Sequence, residues 1–311
     1  MIPEVVTRIM ENIKKVIVGK PDVLELTIVA LLCEGHMLIE DVPGIGKTTL
    51  AKALARSIGC IFRRVQCTPD LLPSDITGIY FFDQKRSEFE FRPGPVMSNI
   101  VLVDEINRAT PRTQSSLLEC MEERQVTVDG ITMPLPRPFL IIATQNPVEL
   151  QGTFPLPEAQ LDRFLLKLEL GYPSEEEEDT MLLRFEKDNP LDSLPEVASG
   201  EEILRLKQLA QEVYVEESLR HYILEIIRQT RLNPSIQLGA SPRASLSFYK
   251  AAQALALSKG RNYVIPDDVK QLAAPVLGHR LILGTEAYLH KRSKENLLEG
   301  ILASIPVPIE D

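Results

Sequence analysis

Positive charge is scarce in this sequence. Against 44 Asp and Glu stand 34 Lys and Arg, a formal net charge of −10. The deficit is spread along the chain: residues 1–173 hold 18 basic and 22 acidic side chains (net −4), and residues 174–311 hold 16 and 22 (net −6). A nucleic-acid binder usually carries a basic face, so DNA and RNA are disfavoured as ligands, short of a local patch. Long apolar runs are missing as well. None reaches the ~18–20 residues of a membrane span, and Met1-Ile2-Pro3-Glu4 does not lead into a basic-then-apolar signal segment. The expectation is a cytoplasmic protein with no membrane insertion. Cysteine is sparse. Cys33, Cys60, Cys67 and Cys120 include no CxxC pair, which reads as reduced structural thiols. Internal repeats and low-complexity tails are absent.

What is present is the profile of a soluble globular chain: 44% hydrophobic and 25% charged residues over 311 positions, enough for two ordinary domains. The first half alternates short apolar runs with helical patterns, as a parallel α/β sheet does. Strands are expected at 36–40, 61–67, 100–104, 139–144 and 164–170. Two of them, IVLVD and FLIIAT, are almost continuously apolar, the mark of a strand covered on both faces. Residues 125–133 and 79–91 alternate with period two and read as hairpins inserted into this core. In the first, Asp129-Gly130 suits a type I′ turn that sets Val126 and Val128 opposite Ile131 and Met133. In the second, Tyr80, Phe81 and Phe82 either grip a partner or pack the hairpin onto the core, and packing is the expectation for at least two of them. After Gly171-Tyr172-Pro173 the pattern turns helical, with an acidic helix start at Ser174 and a capping box at Ser199. The expected division is an α/β domain at 1–173 and a small all-helical domain at 174–311.

The chemistry sits where strands end. HMLIEDVPGIGKTTLAKALARSI runs from strand through a Gly-rich turn into a helix, the context of a P-loop. Gly44 and Gly46 let backbone N–H groups face phosphate oxygens, and the helix start adds partial positive charge. Pro43, Ile45 and Thr49 complete the loop. Lys47 can reach the β- and γ-phosphates, and Thr48 can offer its hydroxyl to Mg²⁺. The strict pattern wants glycine at position 41, where this sequence has Asp41. The alternative is a chance Gly-rich turn with a lysine. In IVLVDE, Asp104 would hold Mg²⁺ through water and Glu105 would polarise the attacking water; the alternative is a solvated acidic turn. Asn146, closing the next strand, either fixes that water or simply forms an Asn-Pro turn.

Taken together, DVPGIGKTTLAKALA, RVQCTPDLLPSDITG, IVLVDEINRATPRTQSSLLECMEERQVTVDG, IIATQNPVELQGTFPLPEAQLDRF and SPRASLSFYKAA resemble the MoxR family of AAA+ ATPases over nearly the whole chain. An acidic residue in place of the first P-loop glycine occurs in that family too. The resemblance implies a P-loop α/β core with parallel strand order 5-1-4-3-2 and a helical lid. It puts Lys47 and Thr48 on Walker A, Asp104 and Glu105 on Walker B, and Asn146 on sensor 1. Arg163 falls on the arginine finger that serves a neighbouring subunit, and Arg243 on sensor 2, acting in cis or in trans. Val18 and Gly19 fall on the segment against adenine. It also implies ATP and Mg²⁺ as cofactors, a self-assembled ring (most often a hexamer), a partner with a von Willebrand factor A domain, and a protein client for a chaperone-like remodeller. Alternatives are the motor subunit of a metal chelatase, a DNA-linked motor, and a nucleotide-gated scaffold.

Overall fold

The computed structural model describes residues 2–147, 152–186, 188–285, 287 and 293–308. The stretch 148–151, inside the segment IIATQNPVELQGTF, lies outside the described residues. The chain opens with two helices, α1 (Ile2–Lys14) and α2 (Pro21–Cys33), and then builds a sheet from β1 (Met37–Glu40), β2 (Phe62–Gln66), β5 (Ile100–Asp104), β8 (Leu140–Gln145) and β9 (Leu166–Leu168). All neighbours are parallel, in the order β2-β5-β8-β1-β9. Counting only these five strands, that is the 5-1-4-3-2 order expected. β5 is buried at every position and β8 at all but its last. Helices α3 (Lys47–Ser57) and α5 (Pro111–Glu123) help cover the two faces, the short α4 (Pro73–Thr77) follows β2, and α6 (Glu158–Leu161) precedes β9.

The register explains where function collects. Glu40 pairs with Gln145, Gln66 with Asp104 and Val103 with Ala143, so the C-terminal ends of β1, β2, β5 and β8 stop at one edge. Ligands bind open α/β sheets at that edge. Four of the five strands start one or two residues later than expected, β5 alone starting where expected, and two of these shifts have a visible cause. His36 falls outside β1: its Nδ1 accepts from Ile141 N–H at 3.0 Å and its Nε2 donates to Met121 O at 3.0 Å. Burial lowers its pKa to about 4, so the imidazole is neutral at physiological pH. β9 is shorter than the expected 164–170 because the carbonyls of Phe164 and Leu165 accept bonds from Arg280 and His279.

Both hairpins form. β6 (Gln125–Val128) pairs with β7 (Ile131–Pro134), with Val126 opposite Met133 and Val128 opposite Ile131. Asp129 and Gly130 take φ of 50° and 79°, both positive as a type I′ turn requires. β3 (Gly78–Asp83) pairs with β4 (Glu88–Pro93), and Tyr80 and Phe82 lie opposite Phe91 and Phe89. The packing expectation fails here. Phe81 is 40% and Phe82 50% exposed, so only Tyr80 is partly covered. The aromatic rings satisfy one another across the ribbon instead of reaching the core.

Beyond Gly171-Tyr172-Pro173 the chain is helical: α7 (Glu175–Arg184), α8 (Gly200–Gln211), α9 (Glu217–Leu232), α10 (Pro242–Ser258), α11 (Pro266–Leu277) and α12 (Lys294–Ser304), with a small ribbon of β10 (Ile236–Leu238) and β11 (Ile282–Leu283). Ser174 and Ser199 start their helices with reciprocal capping boxes to Glu177 and Glu202, each cap worth about 1 kcal/mol. One apolar cluster spans the change of pattern, joining Val6, Ile9 and Ile28 of the N-terminal helices to Ile203, Phe248 and Leu255. All four cysteines are free, and burial pushes Cys33, Cys67 and Cys120 up to about 12 and Cys60 to about 11, as inert structural thiols require. Among the described residues, no helix is long and apolar enough to cross a membrane.

Candidate active site

A cavity of about 310 Å³ opens at the sheet edge, lined by Asp41, Pro43, Gly44, Gly46, Lys47, Thr48 and Thr49 from the first loop and helix. Arg64, Gln66, Asp104, Glu105, Thr144, Gln145 and Asn146 complete it from the strand ends. Gly44 and Gly46 take φ of 87° and 93°, which an L side chain rarely adopts. A Cβ at either would meet nothing within 4 Å, so the space before the α3 N-terminus is open for phosphate. Lys47 extends across the loop and donates from Nζ to Asp41 O at 2.7 Å. Burial lowers its pKa below the ordinary lysine value, against the opposing charges of Asp41, Asp104 and Glu105.

Asp41, the departure from the usual glycine, has a structural task. One carboxylate oxygen accepts Val42 N–H at 2.8 Å and the other accepts Gly171 N–H at 2.6 Å. The side chain therefore ties the phosphate loop to the point where the chain turns helical.

The two acidic residues after β5 are held by different partners. Asp104 accepts from Arg64 Nε at 2.6 Å and from Thr144 Oγ1 at 3.1 Å. Glu105, in the left-handed region at φ 55°, accepts from Gln66 Nε2 at 3.0 Å and Arg108 Nη1 at 3.2 Å, while its own N–H donates to Thr144 Oγ1 at 2.9 Å. Thr144 thus fixes both carboxylate-bearing residues from the neighbouring strand. The Thr48 hydroxyl and the Asp104 carboxylate line one cavity, an all-oxygen pair suited to Mg²⁺. Sequence reading did not single out Arg64, Gln66 or Thr144. The available signal, for the first two, was the polar composition of β2, FRRVQ, the edge strand of the sheet, where residues 63, 64 and 66 are exposed.

A second cavity, about 390 Å³ and mainly apolar, adjoins the first through Pro43, Gly44, Gly46 and Thr49. Val18, which the resemblance puts on the segment against adenine, lines it with Ile45, Tyr172, Met181, Leu182 and Phe185. Gly19 stands beside it instead: a Cβ there would collide with the Glu177 carboxylate that caps α7.

Arg163 and Arg243 are not among the residues lining the phosphate cavity. Both bind Glu122 of α5: Arg163 Nε lies 3.2 Å from Oε2, and Arg243 pairs with Oε1. They share a separate cavity of about 240 Å³ with Arg124, Lys250 and Asp162. At its floor, Glu34 is 2% exposed and meets Arg124, Arg137 and Lys207. Burial alone would raise its carboxyl; the bonds from Arg137 and Lys207 and the charge of Arg124 outweigh that and hold it at about 2.

A parallel sheet ending in a glycine-rich phosphate cradle, two carboxylates and a polar strand end, followed by a helical lid, defines an AAA ATPase. Residues 36–166 match the ATPase family associated with various cellular activities (AAA), and residues 228–301 match the AAA lid domain. The chain is 53% identical over 301 residues to the uncharacterized protein YeaC of Bacillus subtilis, covering 97% of this chain and 94% of that one. It is 43% identical over 310 residues to chaperone MoxR1 of Mycobacterium tuberculosis, covering 97% and 82%. A crystal structure from Cytophaga hutchinsonii, assigned as an ATPase, superposes with a TM-score of 0.93 at 38% identity, covering 99% of this chain and 96% of that one. The chain belongs to the MoxR family of AAA+ ATPases, for which ATP hydrolysis is the general activity.

Proposed function

We propose that this chain hydrolyses MgATP at sites shared between neighbouring copies in a ring, most simply a hexamer, and uses the cycle to remodel partner proteins. Lys47 and the backbone around Gly44–Gly46 hold the β- and γ-phosphates, while Val18 and the apolar cavity take the adenine. Thr48 and Asp104 would hold Mg²⁺, the latter through water, and the ion would supply positive charge that offsets the negative charge of the phosphates. Glu105 accepts the proton of the water that attacks the γ-phosphorus, and Asn146 orients that water. ADP leaves as the bond to the bridging oxygen breaks. Arg163 and Arg243, with residues 174–311 moving as the lid, serve the nucleotide of the neighbouring copy and stabilise charge on the transferring phosphoryl.

The observation that carries this reading is the placement of both arginines on a face apart from their own phosphate cavity. A remodelling role, a von Willebrand factor A partner and a protein client are argued from the family; the chaperone MoxR1 relative supports the first of these. The test is ATP turnover against protein concentration for wild type, Glu105→Gln and Arg163→Ala, with masses measured in ATP and ADP. Specific activity rising with concentration, a ring favoured by ATP, and two variants that assemble without turnover support it. A fully active monomer indifferent to Arg163→Ala overturns it.

A further inference from the structure

Among the described residues, the most heavily hydrogen-bonded buried cation outside the phosphate cavity is Arg280, in a 3-10 turn (Gly278–Arg280) of the helical half and only 5% exposed. Its Nε donates to Asp162 Oδ1 at 2.7 Å, its Nη2 to Asp162 O at 3.2 Å and Phe164 O at 2.7 Å, and its Nη1 to Leu165 O at 3.2 Å and to Val276 O. Neighbouring His279 Nε2 donates to Phe164 O at 3.0 Å. The turn that carries Arg163 is therefore held by carbonyls bound to the lid. Asp162 has a second task. Its Oδ2 accepts from Ser241 Oγ at 2.8 Å, and Ser241 is the N-cap of α10, accepting Ala244 N–H at 3.1 Å. Arg243 stands two residues beyond that cap. One carboxylate thus joins the Arg163 turn to the Arg243 helix, with Arg280 holding its other oxygen.

We propose that Arg280 and Asp162 are positioning residues that lock Arg163 and Arg243 into one two-arginine unit moving with the lid. Arg280 lines neither the phosphate cavity nor the apolar cavity beside it. A guanidinium whose donors are spent on several acceptors of one turn fixes that turn's orientation, because any rotation leaves a buried donor unpaired. Movement of the lid over its own nucleotide then also moves the pair offered to the next copy. The inference rests on the shared-site reading above.

Arg280→Lys keeps the charge but cannot span the acceptors, and Asp162→Asn, run in parallel, keeps the side-chain shape while turning one of the two acceptor oxygens into a donor and losing the charge that binds Arg280. Each variant is assayed alone and mixed in equal amounts with Glu105→Gln chains, beside a mixture of Arg163→Ala with Glu105→Gln. Alone, each positioning variant is expected to lose at least about tenfold in kcat with KM for ATP within about twofold, the pattern of a group acting in the transition state. Mixing should restore about a quarter of wild-type activity, the share of interfaces that combine one chain's intact cavity with the other's intact arginines under random pairing. If the Arg163→Ala mixture fails to recover, the shared-site reading falls. If that mixture recovers and neither positioning variant does, or if both positioning variants alone keep wild-type kcat and KM, the positioning inference falls.

Discussion

The phosphate cavity and the arginine face are built by opposite means. The first is made from loops that directly follow β1, β5 and β8, so its residues are set by the register of one buried sheet. The second gathers Glu122 from α5, Arg163 from the turn before β9 and Arg243 from α10, segments far apart in the chain and on both sides of residue 173. It is held by ion pairs and by carbonyls, not by a ladder. The contrast teaches that binding is a property of the sheet, whereas the presentation of the arginines depends on where the helical half sits.

The largest expected effect separates the two regions outright. Arg163→Ala should cost about 10³-fold in kcat, the lower range for an arginine finger, while leaving nucleotide affinity unchanged. A matched loss of ATP affinity in monomeric protein, read by nucleotide titration, would join the two regions and break the comparison. Next in size is Glu34→Gln. It leaves Arg124, Arg137 and Lys207 without their buried anion and should lower stability by about 3 kcal/mol at neutral pH. The sign with pH follows from the lowered pKa. Folded at about 2 against an ordinary 4.5, Glu34 contributes fully above pH 4.5 and loses that contribution as pH falls towards 2. Chemical unfolding across that window should show the gap between wild type and variant closing; a constant gap would mean the carboxylate is not what anchors the face. The smallest effect is at Arg64, half exposed and paired with Asp104. Such a pair is worth about 0.2–1 kcal/mol, so Arg64→Ala should lower the Mg²⁺ concentration for half-maximal turnover by about fivefold at most. An increase would show that Arg64 helps to hold the metal site instead of competing for it.

The same contrast governs what could be read from the sequence. The strands, both hairpins and the phosphate loop were legible because each is written in a short stretch: an apolar run, a turn dipeptide, a glycine pair before lysine; the strand order came only from the resemblance to the family. Asp104, Glu105 and Asn146 were legible because strand ends announce themselves. Nothing local says that Arg163 and Arg243 would meet on Glu122, or that Gln66 would hold Glu105, since these contacts arise only once distant segments pack. The exposed Phe81 and Phe82 were misread for a related reason. Apolar composition predicts burial on average, but Phe81 and Phe82 are consecutive residues on opposite faces of a two-stranded ribbon, and both faces stay partly open.

Asp41 gives the fold a mechanical consequence. Its carboxylate reaches from the phosphate loop to the backbone of Gly171, at the start of the helical half. The joint about which that half would swing is therefore pinned inside the pocket it closes over. A ligand that shifts the loop would act close to that joint, where a small displacement amounts to a large rotation, and a glycine at position 41 would lack the carboxylate that makes the connection.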